Sequence, residues 1–335
     1  MADRPKVLVT RPIREEPTRR LRERCDVTID ENDFGIPRDD LLAMVAGADA
    51  LITMLTERVD AELLAAVGPQ LKIVANHAVG FDNVSLPDCT AAGVMATNTP
   101  DVLTETTADT AWALMMAAAR RIPEGDRFLR SDAPWIWGPM MMLGQDLHDR
   151  TLGIVGFGRI GQAMARRAQG FGMKVIYHDA FRPPPETERA LNARYRELDD
   201  LLQEADLVTL HTNLTPETHH MIDAARLDAM KPTAVLVNTS RGPVIDEAAL
   251  ADALETGQIF AAGLDVFENE PEVHPKLLEL ENAVVIPHLG SATVDTRIAM
   301  GLLAADNLIA ALEGRRPPTL LNPEAWDGRG AGDGG

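Results

Sequence analysis

Three residues in the second half of the chain carry side chains suited to redox chemistry on a small anion, and each follows a short apolar run. Arg241 lies in Asn238-Thr239-Ser240-Arg241-Gly242, after the run Ala234 to Val237. Glu270 lies in Phe267-Glu268-Asn269-Glu270-Pro271, after Ala261 to Val266, and His288 follows Val284 to Pro287. An arginine can hold a carboxylate through two parallel N–H bonds. Histidine is the side chain that most readily gives or takes a proton near neutrality. A carboxylate beside it favours imidazolium, which can protonate a nascent alkoxide. Each residue alone also has a plain structural reading: a surface ion pair for Arg241, a solvated loop acid for Glu270, a capping residue for His288. Together they suit hydride transfer to a small anionic substrate, given a nicotinamide nearby.

A site for that nicotinamide is suggested by Thr151 to Arg167, TLGIVGFGRIGQAMARR. The apolar run Leu152 to Val155 meets Gly156, Gly158 and Gly161, and a helical pattern with Ile160, Met164 and Ala168 follows. A buried parallel strand that turns on glycine into a helix presents helix N–H groups to a pyrophosphate. Asp179, after the run Lys174 to His178, is placed to accept hydrogen bonds from the adenosine ribose hydroxyls. Its charge would repel the 2′-phosphate of NADP(H), with Arg182 a partial offset, so NAD(H) is the expected preference and NADP(H) the second choice.

Alternating apolar runs and amphipathic helices predict an α/β protein of two Rossmann-like, doubly wound parallel-sheet domains. In the first half the strands are expected at Lys6–Thr10, Val27–Ile29, Ala50–Met54, Leu71–Ala75 and Gly93–Ala96. In the second they are expected at 152–155, 174–178, 206–210, 234–237, 261–266 and 283–286. A helix over Thr104 to Ala119 reads as a connector into the second domain, and Ala292 to Glu313 as the last long helix. The irregular, apolar stretch Arg130 to Asp146 reads as a subunit contact. The segment from Pro317 is polar and glycine-rich, and a disordered tail is expected, assigned to 324–335.

The 335 residues are enough for two cores, and 45% hydrophobic with 25% charged residues is an ordinary globular composition. The net charge of −19 argues against nucleic acid and anionic membranes as partners. Cys25 and Cys89 form neither a metal spacing nor a disulfide framework, so no metal and a reducing, cytoplasmic setting are expected. The N-terminus carries charges where a signal peptide is apolar, and no run approaches the length of a membrane span.

The words ANHAVGFDN (75–83), TPDVLTETTADTA, GIVGFGRIGQ, NTSRGPVIDEAAL, AGLDVFENEP and PHLGSAT occur in that order. With them the chain resembles the D-isomer-specific 2-hydroxyacid dehydrogenases from about Lys6 to Pro323, most of all the glyoxylate/hydroxypyruvate reductase branch. The resemblance implies that Arg241 binds the substrate carboxylate and carbonyl oxygen, Glu270 orients the histidine, and His288 donates the proton. It implies backbone N–H donors to the carboxylate at Val79 and Gly80. Thr239 and Asp265 would lie by the nicotinamide, and Arg159 with Ile160 at the pyrophosphate. The substrate domain would be discontinuous, 1–100 plus 292–323, around a dinucleotide-binding domain of 101–291, with the active site in the cleft and a homodimer formed through the cofactor domain. A small 2-oxo acid such as glyoxylate or hydroxypyruvate is the implied substrate. The scaffold also serves phosphoglycerate dehydrogenases, many of which carry an extra regulatory domain that is not expected for this sequence, phosphite dehydrogenases, which FDN and DCTAAGV resemble, and NAD-sensing corepressors. Three positions depart from the commoner pattern: His77, close enough to Val79 to touch substrate, Asn213 in place of a proline, and Met141 where relatives carry a tryptophan.

Overall fold

Short runs of Val, Ile and Leu make strands whose both faces can be buried, and the helices between them supply the cover. The computed structural model describes residues 4–330. They fall into two units, Met1–Leu103 with Ala292–Gly335, and Thr104–Ser291.

The first unit holds β1 (Lys6–Val9), β2 (Asp26–Ile29), β3 (Ala50–Thr53), β4 (Ile73–Asn76) and β5 (Met95–Thr97), all parallel, in the order β2-β1-β3-β4-β5. This is the flavodoxin-like order. Val7, Val9, Ile52 and Ile73 pack on one face with Ala304, Ala305 and Leu308 of the helix Val294–Leu312. Leu8, Leu51 and Val74 pack on the other with Leu63 and Cys89. A short helix, Leu86–Ala91, lies outside the expected elements. Its signal is Ser85-Leu86-Pro87-Asp88: the serine side chain caps the Asp88 N–H, and proline sits in the first turn.

The second unit holds β6 (Thr151–Val155), β7 (Lys174–His178), β8 (Ala193–Tyr195), β9 (Leu207–Leu210), β10 (Val235–Asn238), β11 (Ala261–Leu264) and β12 (Ala283–Val285). They form one parallel sheet ordered β12-β11-β10-β9-β6-β7-β8. The strand order reverses between β6 and β9, where α/β sheets of this winding hold their ligands. The helix Thr104–Ala119, expected as a connector into the second domain, opens the second unit and covers this sheet, with Ala108, Ala111, Leu114 and Met115 buried. Its Leu114 lies so close to β11 that a Cβ on Gly263 would stand 3.0 Å from the leucine Cβ.

The expected disorder of 324–335 needs correction over Glu324–Gly330, which form a helix. Ala325 is buried and Trp326 packs against the first unit's core. The preceding residues return to β5: Leu321 N–H donates to the Ala96 carbonyl at 2.8 Å. Asn322 is buried, accepts from Ala96 N–H at 2.8 Å and donates to Val94 O at 2.9 Å. Composition signalled a solvated tail, but one asparagine and one tryptophan suffice to dock it. Residues 331–335 of that expectation lie outside the described residues. No helix among the described residues is long and apolar enough to cross a membrane. Replacing Asn322 by Ala should cost about 2–4 kcal/mol, because two buried backbone groups lose their partners. Urea denaturation measures this, and an unchanged midpoint would show that the segment is not docked.

Candidate active site

Strand β6 runs into Gly156, whose φ of +90° suits glycine alone, and a Cβ there would lie 2.5 Å from the His211 carbonyl oxygen. The turn is thereby pressed against the end of β9. Gly161 lets the next helix lie on the turn itself, since a Cβ there would stand 2.2 Å from the Gly156 oxygen. At Gly158 the same construction meets nothing within 4 Å. The open side of the turn is therefore at Gly158, which is also the N-cap of the helix Arg159–Gln169. That helix begins with Arg159 and Ile160, has no side-chain cap and carries no acid in its first turn. Its positive end has no anion of its own, as a pyrophosphate site requires.

Asp179 follows β7 and grips this turn: its Oδ2 accepts from Phe157 N–H at 2.6 Å and its Oδ1 from Phe181 N–H at 2.8 Å. A carboxylate has about four acceptor positions, so capacity for ribose hydroxyls remains. Arg182 is turned elsewhere, donating to Glu188 at 2.8 Å with its guanidinium 4.9 Å above the Tyr195 ring. Beside the turn, His211 Nδ1 and Thr212 Oγ1 after β9, and Thr239 Oγ1 after β10, are buried without hydrogen-bond partners among the described residues. Burial pushes the His211 imidazole down to about 3, so it is neutral. Three orphaned polar atoms at one sheet edge, an uncapped helix and a glycine turn fit a bound dinucleotide.

The loops after β10, β11 and β12 carry the reactive trio. Asn238 closes an Asx turn: its Oδ1 accepts from Ser240 N–H at 3.0 Å and its Nδ2 donates to the Arg241 carbonyl at 2.9 Å. Arg241 Nη1 donates to the Ser240 carbonyl at 2.8 Å. At Gly242 a Cβ would lie 2.0 Å from the Phe267 oxygen, so glycine lets this loop lie directly on the loop that bears Glu270.

Glu270 receives His288 Nδ1 on Oε2 at 2.8 Å and Phe267 N–H on Oε1 at 3.0 Å. Burial pushes its carboxyl up, but the histidine bond and charge, the Phe267 amide and the Arg241 guanidinium together hold it below the usual carboxylate range. His288 has a left-handed backbone, φ 51°, and its N–H donates to the Asp265 carbonyl at 2.9 Å. With Nδ1 committed to Glu270, Nε2 is left for substrate, the arrangement of a proton donor oriented by an acid. No group of three His, Cys, Asp or Glu that could hold a metal ion occurs among the described residues.

Asp265 does more than its expected place by the nicotinamide implied. It is buried, and its carboxylate accepts from the backbone N–H groups of Leu289 and Gly290, the residues after His288. Burial raises its pKa, opposed by those amides and by His288. Sequence reasoning also missed Glu247, a buried acid that accepts from Glu268 N–H and His274 N–H, each at 2.9 Å, and so fixes both ends of the Glu270 loop. Its signal was an acid opening a helix, in Asp246-Glu247, where a plain cap is the ordinary reading.

In the first unit, the carbonyl of Val79 accepts from Asn98 at 2.8 Å and that of Gly80 from Asn76 at 2.9 Å. Among the described residues no backbone partner takes their N–H groups. His77 turns against the helix Val294–Leu312: its Nε2 would be 3.8 Å from a Cβ on Gly301. Burial, reinforced by the Arg297 charge, pushes that imidazole down to about 4. Its ring is buried within the unit, and its Nε2 has no hydrogen-bond partner among the described residues.

Fold and site together define a nucleotide-dependent oxidoreductase whose substrate is a small anion reduced or oxidised at a C–O bond. Residues 112–290 match the sequence model of the D-isomer specific 2-hydroxyacid dehydrogenase NAD binding domain. The glyoxylate reductase of Thermococcus onnurineus is 52% identical over 334 residues, 98% of this chain and 99% of that one. Among solved structures, a Thermus thermophilus protein is 45% identical with a TM-score of 0.89, over 94% of this chain and 99% of that one. An NADPH-dependent glyoxylate/hydroxypyruvate reductase of Sinorhizobium meliloti, solved with NADP and malonate, is 34% identical with a TM-score of 0.82, over 96% and 98%. The chain belongs to the D-isomer specific 2-hydroxyacid dehydrogenase family.

The ionised Glu270 stabilises the fold above the ordinary carboxylate pKa, and that contribution is lost as pH falls through its depressed value. Glu270→Gln should therefore flatten the acid side of the stability profile between about pH 6 and 3. Denaturant titrations across that range check it, and an unaltered profile would contradict the pairing.

Proposed function

We propose that the protein reduces a small 2-oxo acid, glyoxylate or hydroxypyruvate, to the D-2-hydroxy acid with NADH as the preferred donor. The observation that carries this reading is the 2.8 Å bond from His288 Nδ1 to Glu270, with the Arg241 charge acting on the same carboxylate. When bound, the nicotinamide supplies the hydride that reaches the substrate C2. Gly156, Gly158, Gly161, Arg159 and Ile160 would hold its pyrophosphate, Asp179 the ribose, and Thr239 and Asp265 the nicotinamide end. Arg241 binds the substrate carboxylate and carbonyl oxygen, and the amides of Val79 and Gly80 serve as further donors to the carboxylate. Charge that develops on the carbonyl oxygen is met by Arg241 and by a proton from His288 Nε2. Glu270 keeps the imidazolium oriented and stabilises its charge before the transfer.

The cofactor preference rests on Asp179, whose charge faces any 2′-phosphate, while Arg182 is engaged with Glu188 and Tyr195. A homodimer is part of the same reading. Ile136, Trp137 and Met140 are 87%, 77% and 77% exposed, an apolar surface that a second copy would cover. Met141 lies in that segment too. The cytoplasm is the compartment that suits two free, buried cysteines.

His288→Asn should lower kcat with glyoxylate by roughly 10²–10⁴-fold, while NADH binding, followed by fluorescence, changes little. An unchanged kcat would remove His288 from the reaction, and turnover of phosphite rather than 2-oxo acids would redirect the substrate assignment. Asp179→Ser should shift the NADPH/NADH ratio of kcat/KM upward by about tenfold, the order expected for removing one charge near a phosphate. Steady-state kinetics with both cofactors measure it, and a wild type that already prefers NADPH would defeat the assignment. Trp137→Asp should yield a monomer by light scattering, where a monomeric wild type would refute the dimer.

A further inference from the structure

The first unit contains a cavity that neither the sheet nor the proposed reaction uses. It has a volume of about 830 Å³ and is lined by the helix Glu15–Arg22, the helix Val294–Leu312 and the residues just beyond each. Pockets for small molecules span about 300–1,000 Å³, so the space matches a metabolite rather than a single ion. Its walls carry Arg19, Arg20, Arg24, Arg315 and Arg316 against three acids, Glu16, Glu23 and Asp306.

That balance is the reverse of that of the whole chain, which has 51 acids and 32 basic residues. Three of the arginines are engaged: Arg20 with Asp306 at 2.6 Å, and Arg24 and Arg315 both with Glu313. The side chains of Arg19 and Arg316 make no hydrogen bond or ion pair among the described residues. A helix dipole favours a cation in the last turn, and the last turn of the first helix holds three arginines, Arg19, Arg20 and Arg22, the first two of which line the cavity. Like charges gathered at one concavity repel one another unless an anion lies between them. The planar guanidinium fork fits carboxylate and phosphate alike. Ile298, Leu302, Ile309 and Pro318 give the same cavity an apolar wall, which suits a carbon frame between the charged ends.

We propose that this cavity binds a small polyanionic metabolite, a compact molecule with at least two carboxylate or phosphate groups, held by Arg19 and Arg316. The site lies wholly within the first unit, apart from Arg241, Glu270 and His288. Isothermal titration of the NADH-saturated protein with citrate, tripolyphosphate and ATP tests it, because filled cofactor sites remove the glycine turn as a competing phosphate binder. At low salt at least one probe should bind saturably. The double variant Arg19→Gln, Arg316→Gln should weaken it by about tenfold or more, as expected for the loss of two charge-assisted hydrogen bonds. Its turnover without probe should stay that of the wild type. A preference for citrate marks a polycarboxylate, for tripolyphosphate a free phosphate chain, and for ATP a nucleotide; each supports the site. No saturable binding of any probe, or equal binding by the double variant, overturns it. Because the readout is heat of binding, the outcome does not depend on which 2-oxo acid the protein reduces.

Discussion

Parallel strands can be joined only by connections that cross back over a face of the sheet, so every strand delivers its C-terminal end to the same edge. In the second unit this constraint gathers the glycine turn, Asp179 and the Arg241–Glu270–His288 trio. The glycine turn follows β6, Asp179 follows β7, His211 follows β9, Thr239 and Arg241 follow β10, Asp265 follows β11 and His288 lies just past β12. Because the order reverses between β6 and β9, loops leaving in opposite directions open a crevice there. Gly156 marks its floor, with no room for a side chain against the His211 carbonyl.

Loops so gathered still need fixed conformations, and the protein fixes them with one recurrent device: a side-chain oxygen that accepts backbone N–H groups. Asp179 does this for the glycine turn, Asn238 for the Arg241 loop, Glu247 for the Glu270 loop and Asp265 for the His288 loop. The acids differ in the direction their environments push them. Asp265 is buried and pushed upward, whereas Glu270, beside a histidine and an arginine, stays ionised. A rigid carboxylate at Glu270 is what an imidazolium needs for orientation; a neutral acid there would give it up.

Much of this was legible in local patterns. The run Leu152 to Val155, its glycines and Asp179 announced a strand, a turn and a ribose acceptor, because each depends on neighbours a few residues away. Arg241, Glu270 and His288 were recognisable as strand-end residues for the same reason. The helix Leu86–Ala91 was also written locally, in its Ser85 cap, but was masked by the glycines and asparagines before it. The docking of 320–330 was not legible, since Asn322 finds its partners at Val94 and Ala96, far away along the chain.

Sequence by itself determined the two parallel α/β sheets and the glycine turn, and placed the candidate residues Arg241, Glu270 and His288 after strands, because apolar periodicity and turn chemistry act over short stretches. Tertiary structure alone decided which groups meet. Strand order joined His288 to Glu270 and set Gly242 on Phe267. It made Asp265 a clamp on the histidine loop and turned His77 into the packing of the last long helix. Residues distant in sequence meet only once a sheet has an order, and that order is a property of the whole core.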